Sequence, residues 1–384
     1  MVYLDNAATT SPKPQSVRQA LAIAMEDSVV NPGRSGTAVA KKVAEDIYNC
    51  RKKAATLLGA KQPENVVFTL NCTHAVNFVI KGALKKGDHV IVSSLEHNAV
   101  MRPLSRLKKE GYIDYDIAEV FPFDTDMTVR SFERLIRKNT VMIICTHASN
   151  VFGVINPIYE IGMLCKKHSL MFTVDCAQTA GVIPVDMTEC RITFLCCAGH
   201  KGLYGPMGTG LLITDGTPLK TIIEGGTGNN SHSLDQPEEL PERLESGTMN
   251  TAGILALSKG IDFVNKNTPA LIYDHEMRLI QTAYKLLKNN KRVQFYHHLP
   301  LKWQFVPVLS FNVLGHTSMQ TAEFLSKNNI AVRAGYHCAP LAHKMFGTDS
   351  FGTVRISTSA FSVENDIKKL VYAVNKFVSL KNNY

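Results

Sequence analysis

Four short stretches of the 384-residue chain join apolar runs to side chains that can do chemistry. LMFTVD (170–175) ends on Asp175, and a carboxylate directly after a buried strand is costly unless a cation faces it. ITFLCCA (192–198) runs into a glycine-rich turn that carries Lys201. An amine at such a desolvated strand end loses proton affinity and becomes a nucleophile. NVVFTL (65–70) leads to Asn-Cys-Thr-His at 71–74, a helix start offering backbone N–H groups and the Thr73 hydroxyl to a phosphate. HVIVSS (89–94) leads to His97. An acid for a pyridinium, an amine for an aldehyde, a helix N-terminus for a phosphate and a flat imidazole to stack are the parts of a pyridoxal phosphate site. Each residue alone has an ordinary structural reading, as cap, turn or satisfied polar group. Their joint occurrence in one α/β pattern is specific.

A fifth stretch, VRAGYHCAPLAH (332–343), sets Cys338 among Gly, Tyr, His and Pro. Most of the other eight cysteines lie in apolar runs, where a free thiol behaves as a small hydrophobe. An odd total and the lack of any CxxC pair argue against a disulfide framework or a zinc site. Cys338 stands apart from them, in a stretch of turn-forming and basic residues. Gly335 would let the backbone turn and Pro340 would limit the loop, while Arg333 and His337 are expected to supply positive potential that lowers the thiol pKa.

These side chains need a frame. The apolar runs at 65–70, 89–94, 140–147, 170–175, 192–198 and 208–214 read as buried strands, and helical patterns lie between them. One such pattern is 42–59, where Val43, Ile47, Cys50, Ala54 and Leu58 recur every three or four residues. The alternation predicts an α/β fold with a mostly parallel sheet and helices on both faces, and ligands at the carboxyl ends of its strands. After residue 250 the pattern changes to a long helical stretch reaching about 289, broken at NTPA (267–270), and then to shorter elements ending in a helix at 363–379. The expected division is a large α/β domain at 15–255 and a smaller α+β domain at 256–384, with segment 1–14 packing on the latter.

The composition, 45% hydrophobic and 20% charged, is that of a globular protein. MVYLDNAATT lacks a basic stretch leading into an apolar one, and the longest apolar runs are strand-sized. The expectation is a cytoplasmic protein without a membrane partner. The net charge of +9 is scattered over helical patterns without interleaved aromatics, which reads as solvated helix faces and predicts no nucleic-acid partner.

Taken together, YLDNAATT (3–10), SSLEHNA, THASNVFG (146–153), VDCAQTAG, AGHKGLYGPMGTG, ESGTMNT (245–251) and VRAGYHCAPLAH resemble the cysteine desulfurase and selenocysteine lyase family of the class V aminotransferase fold, nearer its SufS-like branch than the NifS/IscS type. The resemblance spans nearly the whole chain. It implies pyridoxal phosphate fold type I, with a mostly parallel seven-stranded sheet in the large domain. It also implies that Lys201 binds the cofactor covalently, that Asp175 pairs with the pyridinium nitrogen and that His97 stacks on the ring. Asn150 and Gln178 would bond its hydroxyl side, and Thr73, the Cys72 backbone and His200 would hold the phosphate. Thr248 would reach the neighbouring site of a homodimer, and Arg355 would clamp the substrate carboxylate. Cys338 would take the substrate sulfur as a persulfide and pass it to an acceptor protein, for example for iron–sulfur cluster assembly. A lyase acting on L-selenocysteine, or another C–S lyase on the same cofactor, is the alternative.

The chain departs from the family pattern in several places. Ala198 stands where many relatives carry serine, and Asn-Cys-Thr-His at 71–74 replaces Gly-Thr-Thr-Glu. NPGRSG (31–36) is closer to the NifS branch, which makes Asn31 and Arg34 substrate-side candidates alongside Asn150 and Arg333.

Overall fold

Alternating residues of each buried strand face two different apolar layers, and this explains why the strands read as unbroken apolar runs. In the strand Phe194–Ala198, Leu195 and Cys197 join one layer while Phe194, Cys196 and Ala198 join the other. The structure is a computed structural model and describes residues 1–27, 37–228 and 232–379. Asn31 and Arg34 therefore lie outside the described residues.

The chain begins with β1 (Val2–Tyr3), α1 (Gln15–Asp27) and α2 (Ala38–Leu58). Then follow β2 (Val66–Thr69), α3 (Cys72–Ala83), β3 (His89–Ser93), α4 (Asn98–Lys109), β4 (Asp114–Ala118), α5 (Thr125–Glu133), β5 (Thr140–Thr146), α6 (Ile158–Lys167), β6 (Met171–Asp175), β7 (Phe194–Ala198) and β8 (Gly210–Thr214). The second half contains α7 (Thr251–Asn267), α8 (Pro269–Leu287), β9 (Val293–Phe295), β10 (Val308–Val313), α9 (Ser318–Lys327), β11 (Ile330–Ala331), β12 (Arg333–Gly335), α10 (Pro340–Met345), β13 (Thr353–Ser357) and α11 (Glu364–Ser379).

Seven strands form one sheet in the order β2-β8-β7-β6-β5-β3-β4, in which only β8 runs against its neighbours. The carboxyl ends of the other six therefore share one edge. Helices α3 and α4 cover one face, through residues such as Val76, Val79, Val100 and Leu104. Helices α2, α6 and α7 cover the other, through residues such as Ile47, Ile161 and Leu257. A second, antiparallel sheet has the order β12-β13-β10-β9. The N-terminal strand β1 pairs in parallel with β11, Val2 opposite Ile330.

Two details differ from the sequence pattern. The polar strand β4 carries no apolar run because it is the sheet edge, where Asp114 pairs with Lys108 and Arg137. The break expected at 267–270 is a single residue, Thr268, with φ +58° between two helices. Among the described residues no helix is long and apolar enough to cross a membrane.

Candidate active site

The shared strand edge gathers Asp175 at the end of β6 with Thr73, His97, Asn150 and Lys201 from the segments after β2, β3, β5 and β7. Asp175 closes β6 between Thr146 of β5 and Cys196 of β7 and is only 4% exposed. Its Oδ1 accepts hydrogen bonds from the Ala177 N–H at 2.8 Å and the Cys72 thiol at 3.3 Å.

Lys201 stands in a turn of close backbone packing. A Cβ on Gly202 would lie 2.4 Å from the Ala180 carbonyl oxygen, so no larger residue fits there. The N-terminal segment straps this turn from outside. Thr9 and Lys13 donate to the His200 carbonyl, and the Thr10 hydroxyl donates to the Lys201 carbonyl at 3.1 Å. Desolvation lowers the proton affinity of the Lys201 amine, Asp175 opposes that shift, and Arg355 and Arg333 reinforce it. His200 is held neutral by burial and by Lys201 and Lys13, with its pKa down to about 4, and its Nδ1 is buried without a partner.

His97 caps α4, its Nδ1 accepting the Ala99 N–H at 3.0 Å. That bond leaves the neutral ring's proton on Nε2. Burial lowers its pKa, with Asp175 raising it and Lys201 and Arg333 lowering it further. Beneath it, Glu96 accepts from the Ser93 hydroxyl and from the Thr146 N–H at 2.7 Å. Burial pushes its carboxyl up to about 8, and Oε2 is left without a partner. An acid inside a strand-end apolar stretch was the only sequence signal for this residue.

The Cys338 loop lies against the same edge. Its backbone carbonyl accepts the Asn98 N–H, the first of α4, at 2.7 Å. The preceding carbonyl, of His337, accepts from the Asn150 side chain at 2.7 Å. Gly335 has φ +101°, and His337 and Cys338 both take left-handed backbone, at +48° and +58°. Two such non-glycine residues in succession cost roughly 1–2 kcal/mol each, a strain sustained here by flanking hydrogen bonds. Pro340 opens α10 at once, and Cys338 is half-buried.

One expectation is overturned. His337 does not lend positive charge to the thiol, because burial and the neighbouring Arg355 hold its pKa down to about 2. The ring is 3% exposed, and its Nε2 bonds the Thr353 carbonyl at 3.0 Å. The cations that act on His337 are Arg355 and Arg333. Arg333 and Arg355 face each other across the β12–β13 ladder. Arg355 is 1% exposed; its guanidinium reaches the Asn150 carbonyl at 2.8 Å and Asp5 at 2.6 Å, and Nε has no partner. Asp5 was not singled out from the sequence, since 350 residues separate it from its partner.

Gln178 donates to the Ala7 carbonyl at 3.1 Å. Thr73 is exposed in the first turn of α3, which Asn71 caps by accepting the His74 N–H. Thr248 is exposed in a loop anchored by the buried side chain of Glu245, which pairs with Arg51 and accepts the Phe68 N–H at 2.6 Å. Thr248 lines a cavity with His74 and Asn250.

The aminotransferase class-V family profile matches residues 2–370. A protein described as a probable cysteine desulfurase, from Methanothermobacter thermautotrophicus, is 30% identical over 96% of this chain and 92% of its own length. An apo structure of a cysteine desulfurase from Thermococcus onnurineus superposes with a TM-score of 0.91 at 29% identity, over 98% of this chain and 94% of that one. The cysteine desulfurase CsdA from Escherichia coli superposes with a TM-score of 0.86 at 26% identity, over 98% and 94%.

Proposed function

The chain belongs to the class-V aminotransferase family, and on that premise we propose that it is a pyridoxal phosphate-dependent cysteine desulfurase, converting L-cysteine to L-alanine and leaving the sulfur as a persulfide on Cys338. The observation that carries this reading is the seat of Cys338. Its carbonyl is bound by the first N–H of the helix that His97 caps, which ties the half-buried cysteine to the start of that helix.

The residues present fit the cofactor. Lys201 is an amine of lowered proton affinity, suited to an aldehyde. Asp175 has one oxygen engaged, and no described hydrogen bond falls on Oδ2, which can accept from a ring nitrogen. The start of α3, with Thr73 and the Cys72 N–H, and the unpartnered His200 Nδ1 suit a phosphate. When bound, pyridoxal phosphate supplies an aldehyde for the substrate amine and an electron-withdrawing ring.

Around it, neutral His97 stacks a flat face and Asn150 and Gln178 serve the ring's hydroxyl side. Arg333 and Arg355 orient the substrate carboxylate by charge and forked N–H donors. Lys201 moves the proton at the substrate α-carbon. The Cys338 thiolate attacks the substrate sulfur; an S–S bond forms, the C–S bond breaks, and the carbon keeps the electron pair and gains a proton to give alanine. The enzyme acts as a homodimer with Thr248 at the neighbouring phosphate, and an acceptor protein takes the persulfide sulfur.

The test is incubation of pyridoxal phosphate-loaded protein with L-cysteine, and in parallel with L-selenocysteine, under a reducing thiol. Alanine and sulfide from cysteine are expected, and Cys338→Ala should lose them while keeping the bound-cofactor absorption. Alanine from selenocysteine alone would overturn the desulfurase in favour of a lyase.

A further inference from the structure

Cys72 occupies a place that a role in phosphate binding does not explain. Its backbone begins α3, but its side chain turns inward, 7% exposed, among Val76, Cys196 and Ala198 of the core beneath the sheet edge. There its thiol is 3.3 Å from Asp175 Oδ1, the atom that also accepts the Ala177 N–H at 2.8 Å. Both partners are buried, and two donors converge on one carboxylate oxygen.

A carboxylate on a short side chain can swivel about its last bond. Two donors on Oδ1 remove that freedom and commit the other oxygen to a single direction. Burial and the adjacent Asp175 charge push the Cys72 thiol well up, so it keeps its proton and remains a donor. The same shift removes it as a nucleophile, so it does not compete with Cys338.

Resting on the pyridoxal phosphate reading, we propose that Cys72 is a positioning residue: its thiol, with the Ala177 N–H, locks Asp175 through Oδ1 so that Oδ2 meets the ring nitrogen.

The experiment uses the full chain and its Cys72→Ala and Cys72→Ser variants, freed of cofactor and titrated with pyridoxal phosphate. Two quantities are read: the dissociation constant, and the pH midpoint of the absorption above about 400 nm that marks the cofactor on its lysine. Loss of one hydrogen bond from a weak donor should weaken binding of the Ala variant roughly 2- to 12-fold. Its midpoint should rise, because a less firmly protonated ring withdraws fewer electrons. The Ser variant, which restores a donor, should stay near wild type in both. An Ala variant that matches wild type overturns the proposal, as do equal losses in Ala and Ser, which would assign the effect to side-chain volume. If Cys72→Ala does not fold, Cys72→Val, which fills the space without donating, takes its place with the same expected losses. A wild-type protein that takes up no pyridoxal phosphate overturns the functional reading together with this role; normal wild-type uptake with an indifferent variant overturns the Cys72 role alone.

Discussion

Lys201 stands in a turn where glycines let backbone lie on backbone, whereas Cys338 stands on two consecutive left-handed residues held by groups from elsewhere in the chain. In the first region the sequence near the lysine does the shaping: Gly202 leaves no room for a Cβ beside Ala180. In the second the local sequence opposes the shape, since His337 and Cys338 pay a steric penalty at positive φ. Asn98, Asn150 and Thr353 hold that conformation through hydrogen bonds. A lysine that must stay in one place thus rests on tight packing. The thiol proposed to carry the sulfur rests on a few polar contacts.

Three substitutions test that contrast. The largest effect is expected at Lys201→Ala, which should lower alanine formation from L-cysteine by at least about 10³-fold while leaving the unfolding midpoint near wild type. A comparable loss of stability would show that the lysine also holds its turn. Next, Asn150→Ala removes the donor on the His337 carbonyl but keeps the backbone carbonyl that Arg355 uses. Leaving that buried carbonyl unsatisfied should cost about 1–3 kcal/mol, measured by chemical denaturation, and should reduce sulfide release more than cofactor uptake. Unchanged stability would mean that the loop does not depend on this contact.

The smallest effect is a pH dependence. His337 has a folded-state pKa held down to about 2, below its ordinary 6.5. The unfolded chain therefore binds a proton that the folded chain refuses, and the stability this residue supports is full above pH 6.5 and lost as pH falls. His337→Asn tolerates left-handed backbone and does not titrate. Its unfolding free energy should fall less steeply on acidification, by up to about 1.4 kcal/mol per pH unit below pH 6. Parallel curves for the two proteins would refute a buried neutral His337.

How much of this was legible beforehand follows from what each feature depends on. The apolar runs that became β2, β3, β5, β6, β7 and β8 were readable because both faces of those strands are covered, so most positions are apolar. Strand β4 was missed because an edge strand needs no such run. Asp175, Lys201 and His97 were readable as polar residues directly following buried strands, where desolvation makes their presence expensive. The contacts that refine the site were not readable: Asp5 to Arg355, the Cys72 thiol to Asp175, and the Asn98 N–H to the Cys338 carbonyl.

By itself, then, the sequence determined the strand–helix alternation, the candidate site residues and the family, because periodicity, residue chemistry and motif are local properties. Only the tertiary structure decided that His337 is neutral, that Arg355 is already paired and that Cys72 points inward. Charge state and hydrogen-bond partner depend on burial and on neighbours that the folded path brings from up to 350 residues away.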